Sequence, residues 1–207
     1  MSARRILRRA AAEERLPAAA ASLHPALRRV YAARGLEDAL DLDLGLERLL
    51  PVSSLGGIEA AVDLLLSCHR GARKVLVIGD FDCDGATSTA VVVRQLRRLG
   101  FTEPGFLVPD RFKFGYGLTP EIVRVAAQMK PDLIVTVDNG VSSLEGVAEA
   151  ARSRIPVLVT DHHLPAKDGD RVLLPEAAVI VNPNQPGCTF ASKALAGVGV
   201  VFYVLLA

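Results

Sequence analysis

The sequence predicts an α/β fold: a parallel β-sheet with helices on both faces, preceded by a short N-terminal helical segment. Three observations predict it. From residue 74 onward, short apolar runs rich in Val, Ile and Leu recur at intervals filled by helical patterns. The runs are continuously apolar rather than alternating, as strands buried on both faces are. Residues 1–70 carry helical periodicity and no strand signal.

Taken in order, the chain opens on an Arg- and Ala-rich stretch with Arg4, Arg5, Arg8 and Arg9. Glu13 and Glu14 argue against a transit peptide, so this reads as a solvated basic arm. "HPALRRVYAARG" has Pro25 placed for a first helical turn and Gly35 for a C-terminal stop. "GIEAAVDLLLSCHRG" is a second helix, with Ile58, Val62, Leu65 and Leu66 on one face. Strands are expected at 74–79, 105–109, 132–138, 155–160 and 177–182, with helices at about 86–99, 119–129 and 143–153. The last segment, "SKALAGVGVVFYVLLA" (192–207), reads as a helix that stops at Ala207 with its apolar pattern still running, as a truncated end would. The expected division is a helical lead-in over 1–70 and an α/β domain over 71–207.

Bulk properties narrow the class without naming a function. Half of the 207 residues are hydrophobic and 23% are charged, an ordinary globular composition. No apolar run approaches the ~20 residues that span a bilayer. Cys68, Cys83 and Cys188 show no CxxC spacing, so neither a disulfide framework nor a zinc cluster is indicated, and a reducing cytoplasm is the expected setting. A net charge of +1 says nothing for or against nucleic acid; Arg28, Arg29, Arg97 and Arg98 read as solvated helix faces.

The chemistry collects at strand ends. The first strand runs into Asp80, Asp82 and Asp84, at every second position; the third ends at Asp138; the fourth at Asp161, His162 and His163. In a parallel sheet these ends share one edge, where loops converge on ligands. Acids that close repel one another unless cations sit among them. Carboxylates with one or two imidazoles suit Mn²⁺ or Mg²⁺ better than a thiolate-seeking metal. Two such ions roughly 3.5–4 Å apart are a standard device for in-line attack on a phosphoester. The plain alternative is that each Asp caps a helix, Asp84 before "GATSTA" being the obvious case.

Two families place Asp-x-Asp-Gly after an apolar strand. The haloacid dehalogenase phosphatases follow it with Thr and use the first Asp as a covalent nucleophile, which here would be Asp82. This chain has Ala86 at the Thr position and no later Gly-Asp-x-x-x-Asp. "GDFDCDG", "VTVDNGVSS" and "VTDHHLP", in that order, resemble the DHH phosphoesterase superfamily, named for its Asp-His-His. "VPDRFKFGYGLTP", "VNPNQPGC" and "LAGVGVVFYVLLA" are similar to its branch of single-strand-specific DNA exonucleases, and the likeness extends over nearly the whole chain.

The resemblance implies a dinuclear Mn²⁺ or Mg²⁺ centre held by Asp80, Asp82, Asp84, Asp138 and His162, with Asp138 bridging and Asp80 behind the other two. It implies that Asp161 orients His162, that His163 faces the scissile phosphate, and that Arg111 reaches a phosphate. The implied reaction is 5′→3′ removal of nucleotides from single-stranded DNA in recombination and repair, with a helicase or single-strand-binding protein as partners. It also implies a further Asp ligand and DNA-gripping domains downstream of Ala207. Alternatives are a DHH enzyme for short oligonucleotides or nucleotides, and a fragment that only binds metal or a partner.

Overall fold

A computed structural model describes residues 10–207, so Arg4, Arg5, Arg8 and Arg9 of the expected basic arm lie outside the described residues. The chain divides into two compact units, Met1–Leu49 and Leu50–Ala207. The described residues of the first form short 3₁₀ turns and helix α1 (Pro25–Ala33). Pro25 occupies its first turn, and the His24 ring accepts the Ala26 amide proton at 3.2 Å. Arg28 of this helix pairs with Glu13 at 3.7 Å.

The second unit begins earlier than the domain start expected at residue 71, because helix α2 (Ile58–Arg70) belongs to its core. Ile58, Ala61 and Cys68 are buried there and Val62 and Leu65 pack alongside, whereas Leu66, expected on the same face, is exposed. The sheet follows: β1 (Val75–Ile78), β2 (Gly105–Leu107), β3 (Leu133–Val137), β4 (Val157–Thr160) and β7 (Val179–Val181). Every pairing is parallel and the order is β2-β1-β3-β4-β7. Between them run α3 (Cys83–Arg98), α4 (Arg111–Phe114), α5 (Pro120–Gln128) and α6 (Leu144–Arg152); α7 (Gly197–Leu206) closes the chain.

Side chains alternate between the two faces, as a pleated strand requires. Val75, Val77, Leu133, Val135, Val137 and Leu158 meet α2, α3 and α7 on one face. Leu76, Ile78, Ile134, Val157 and Val159 meet α5 and α6 on the other. Both faces are covered, which is why the runs read as unbroken apolar stretches.

Several features differ from the sequence reading, among them the short α4, which no pattern announced, and α7, which starts at Gly197 rather than at residue 192. Helix α3 starts at Cys83 rather than 86, because Asp82 caps it: its Oδ1 accepts the Gly85 amide proton at 2.9 Å. A two-stranded antiparallel hairpin, β5 (Ala166–Asp168) with β6 (Arg171–Leu173), occupies a stretch with no expected element. Among the described residues no single helix is long and apolar enough to cross a membrane.

Candidate metal centre

The strand order reverses between β1 and β3, since the chain runs outward from β1 to β2 on one side and to β3, β4 and β7 on the other. At such a switch point the connections part and leave a crevice beyond the carboxyl ends. Asp80 and Asp138 follow β1 and β3 into that crevice, and Asp161 follows the adjacent β4.

Each acid arrives with its own local partners. Asp80 is buried; its Oδ1 accepts the Phe81 amide proton at 2.7 Å, and Arg111 Nη2 lies 3.3 Å from both carboxylate oxygens. Gly85 makes room for it, because a side chain there would strike the Asp80 backbone. The Arg111 guanidinium lies 3.6 Å over the Phe81 ring and 5.2 Å from the centre of the Tyr116 ring. Asp82 caps α3, so the capping role considered for Asp84 falls to its neighbour. Asp84 instead reaches across to α7: its Oδ2 and Oδ1 accept the amide protons of Gly197 and Val198 at 3.0 and 3.1 Å.

Asp138 is different. Its backbone is left-handed, with φ at +62°, a conformation that costs a non-glycine residue energy and recurs at functional sites. Its side chain is buried, and Oδ1 has no hydrogen-bond partner among the described residues. His162 Nε2 is 3.2 Å from that oxygen and 3.8 Å from Asp84 Oδ2. Burial, then the charges of Asp84 and Asp82, push the Asp138 carboxyl up to about 7. Gly197 packs directly on it, and any side chain at that position would overlap the carboxylate.

Asp161 holds His163 rather than His162. Its Oδ1 lies 2.7 Å from His163 Nδ1 and also accepts the amide protons of His162 and His163, while Oδ2 accepts that of Val141. The expected orientation of the His162 ring by Asp161 is therefore not observed: the carboxylate curls over its own turn, and the second histidine is the one within reach. Burial works to raise the Asp161 carboxyl, but the His163 ring and the two amides of Val141 and His163 outweigh it, and the net direction is down. The hydrogen bond to Asp161 raises the pKa of His163.

The eight residues singled out in the sequence thus lie at one sheet edge, where Asp80 contacts Arg111, His162 contacts Asp84 and Asp138, and Asp161 contacts His163. Two donor groups that could hold an ion share one member: Asp80 with Asp82 and Asp138, and Asp138 with His162 and His163, each set of donor atoms lying within 4.8 Å of one another. Asp84 stands outside both groups. Tyr116 was missed by the sequence reading. Its hydroxyl is 3.4 Å from the His163 ring nitrogens and 3.5 Å from the Asp138 carbonyl oxygen, and burial followed by the surrounding carboxylates keeps it protonated. Its signal was the flanking pair Gly115 and Gly117, both left-handed, which aim the ring into the crevice.

Residues 74–206 match the family model described as DHH family, N-terminal domain. The single-stranded-DNA-specific exonuclease RecJ of Salmonella typhimurium is 51% identical over all of this chain, and that of Escherichia coli is 51% identical over 90% of it. The chain spans about a third of the length of these relatives, 35% and 32%. A crystal structure of exonuclease RecJ bound to manganese aligns with a TM-score of 0.66 at 32% identity, over 76% of this chain and 38% of that one. RecJ of Thermus thermophilus in complex with Mn²⁺ aligns with a TM-score of 0.65 at 33% identity, over 84% of this chain and 23% of that one.

Proposed function

The chain belongs to the DHH family, and on that premise we propose that it carries the metal-dependent chemistry of a 5′→3′ exonuclease specific for single-stranded DNA. The similarity to RecJ exonucleases over the full chain supports the substrate class. One observation carries the metal reading: the buried Asp138 Oδ1, without a hydrogen-bond partner among the described residues, faces an imidazole nitrogen 3.2 Å away. A carboxylate oxygen and an imidazole nitrogen so placed are donors that one cation can share. Mixed carboxylate and imidazole donors fit Mn²⁺, with Mg²⁺ as the alternative.

In this reading Asp138, common to both donor groups, would hold metal together with Asp80 and Asp82 in one group and with His162 in the other. Asp84 contributes through Oδ2, which keeps a second lone pair beyond its bond to Gly197. Bound divalent ions supply Lewis acidity and neutralise charge at a phosphodiester. The protein's own groups do the rest. Arg111 commits one nitrogen to Asp80 and keeps further N–H donors for a phosphate oxygen. His163, held by Asp161 in a state that favours its charged form, offers a donor to developing negative charge. A reducing cytoplasm is the proposed setting, which three free thiols suit. A repair helicase or a single-strand-binding protein is the proposed kind of partner.

The test begins with a Mn²⁺ titration of this chain followed by electron paramagnetic resonance. About two ions per chain, lost in Asp138→Ala, is the expected result. Cleavage of a 5′-labelled single strand, its duplex and a dinucleotide is then compared in Mn²⁺. Mononucleotides released from the single strand alone support the proposal. Preference for the dinucleotide overturns the substrate class, and absence of bound Mn²⁺ overturns the centre.

A further inference from the structure

Resting on that reading, we infer that Asn182 and Asn184, in the loop after β7, are positioning residues that set the two histidines of the centre. His162 and His163 sit on residues 161–165, which have no regular secondary structure and so no ladder to hold their peptides. Asn184 Nδ2 donates to the carbonyl oxygen of His162 at 2.6 Å, and Asn182 Nδ2 donates to that of His163 at 2.9 Å. The Asn182 side chain is in turn fixed to its own loop, because the backbone N–H of Asn184 donates to Asn182 Oδ1 at 2.7 Å. From the opposite side, Asp161 Oδ1 accepts the amide protons of the same two histidines, at 2.7 and 3.1 Å. Both residues are therefore clamped at N–H by a carboxylate and at C=O by an amide.

The clamp is itself anchored. Lys193 Nζ donates to the carbonyl oxygens of Pro183 and Cys188 at 2.6 and 2.8 Å, and Asn184 Nδ2 makes a second bond to the Lys193 carbonyl oxygen at 3.1 Å. Asn182 is fully buried, so its amide is a committed part of the interior. With its backbone fixed, an imidazole keeps only two torsions. A ligand must be held to within a fraction of an ångström for its ion, and the groups behind it are what achieve this. The motif "VNPNQPGC" thereby gains a role: its two asparagines reach back to the Asp-His-His turn from 20 or so residues downstream.

The experiment compares Asn184→Ala, the isosteric Asn184→Asp, and Gln185→Ala. Gln185 braces the same loop through the Ile180 carbonyl oxygen without touching either histidine. Two readouts are taken, Mn²⁺ affinity by electron paramagnetic resonance and hydrogen exchange of the His162 and His163 amides in metal-free protein. Both Asn184 variants are expected to weaken Mn²⁺ binding about tenfold or more and to speed exchange at the two histidines. Gln185→Ala is expected to move neither. Wild-type affinity and exchange in Asn184→Asp overturn the inference, as does an equal loss in Gln185→Ala. If the unaltered chain binds no Mn²⁺, the metal reading fails separately, and the exchange data still decide whether the clamp exists.

Discussion

Replacing Asp138 by Asn should stabilise the metal-free protein while abolishing the proposed metal centre. The carboxyl is held at about 7 in the folded chain against 3.8 for an ordinary aspartate. A folded-state value above the unfolded one means that the folded chain binds more protons between those pH values, so stability falls as pH rises from about 4 to about 7 and the loss is complete above that. At about 1.36 kcal/mol per pH unit the interval corresponds to a ceiling of about 4 kcal/mol. Relaxation and water entry reduce it, and a gain of about 1–3 kcal/mol at pH 8 is expected for Asn. Asn also tolerates the left-handed backbone at this position, so no strain is added. The assay is equilibrium urea unfolding in EDTA at pH 5 and pH 8, repeated with Mn²⁺. The variant should exceed the wild type at pH 8, approach it at pH 5, and gain little from Mn²⁺. A variant less stable than wild type at pH 8 in EDTA would refute the reasoning, because it would mean that the ionised carboxylate is satisfied by the protein alone.

Three further outcomes follow from the same geometry. Gly197→Ala places a methyl on Asp138 Oδ1 and within 2.8 Å of its Cβ and Cγ, and should cost about 1–3 kcal/mol in urea unfolding together with Mn²⁺ affinity. Arg111→Ala leaves the buried Asp80 without its cation and should destabilise the chain by about 1–2 kcal/mol at pH 8, measured by the same unfolding. Asp161→Asn removes the charge that raises the His163 pKa, which should fall toward 6.5 in an NMR titration of the imidazole. That change leaves His163 less often charged near neutral pH.

The sheet was legible because burial on both faces leaves a mark that composition carries: β1, β3 and β4 are each fully buried, and each reads as a run of aliphatic residues broken at most by one threonine. Their polar ends were legible for the same reason, since an acid after such a run has nowhere to go but the sheet edge. What the sequence could not supply is the partner of each group. Asp84 meets α7 across more than a hundred residues, and no local signal encodes that contact. Whether Asp161 holds His162 or His163 depends on how a turn of three residues curls, which spacing does not determine. The β5–β6 hairpin is three residues a side, half polar and weakly buried, too short for alternation to register.

The repulsion implied by acids at every second position resolves into separate local arrangements. Asp80 is neutralised by Arg111, Asp82 by the start of α3, Asp84 by the first amides of α7, and Asp161 by the His163 ring and three amides. Of these acids, Asp138 alone lacks a hydrogen-bond partner for its Oδ1 among the described residues. The distinction matters for affinity. A centre in which all the acids were uncompensated would carry a repulsion that destabilises the metal-free fold, whereas full compensation would leave nothing for an ion to gain. Concentrating the deficit on one strained, buried carboxylate shared by both donor groups keeps the cost to a few kcal/mol, within what the core on either side of the sheet sustains. It also returns that cost on binding, so metal affinity and the pH dependence of folding should rise and fall together across substitutions at position 138.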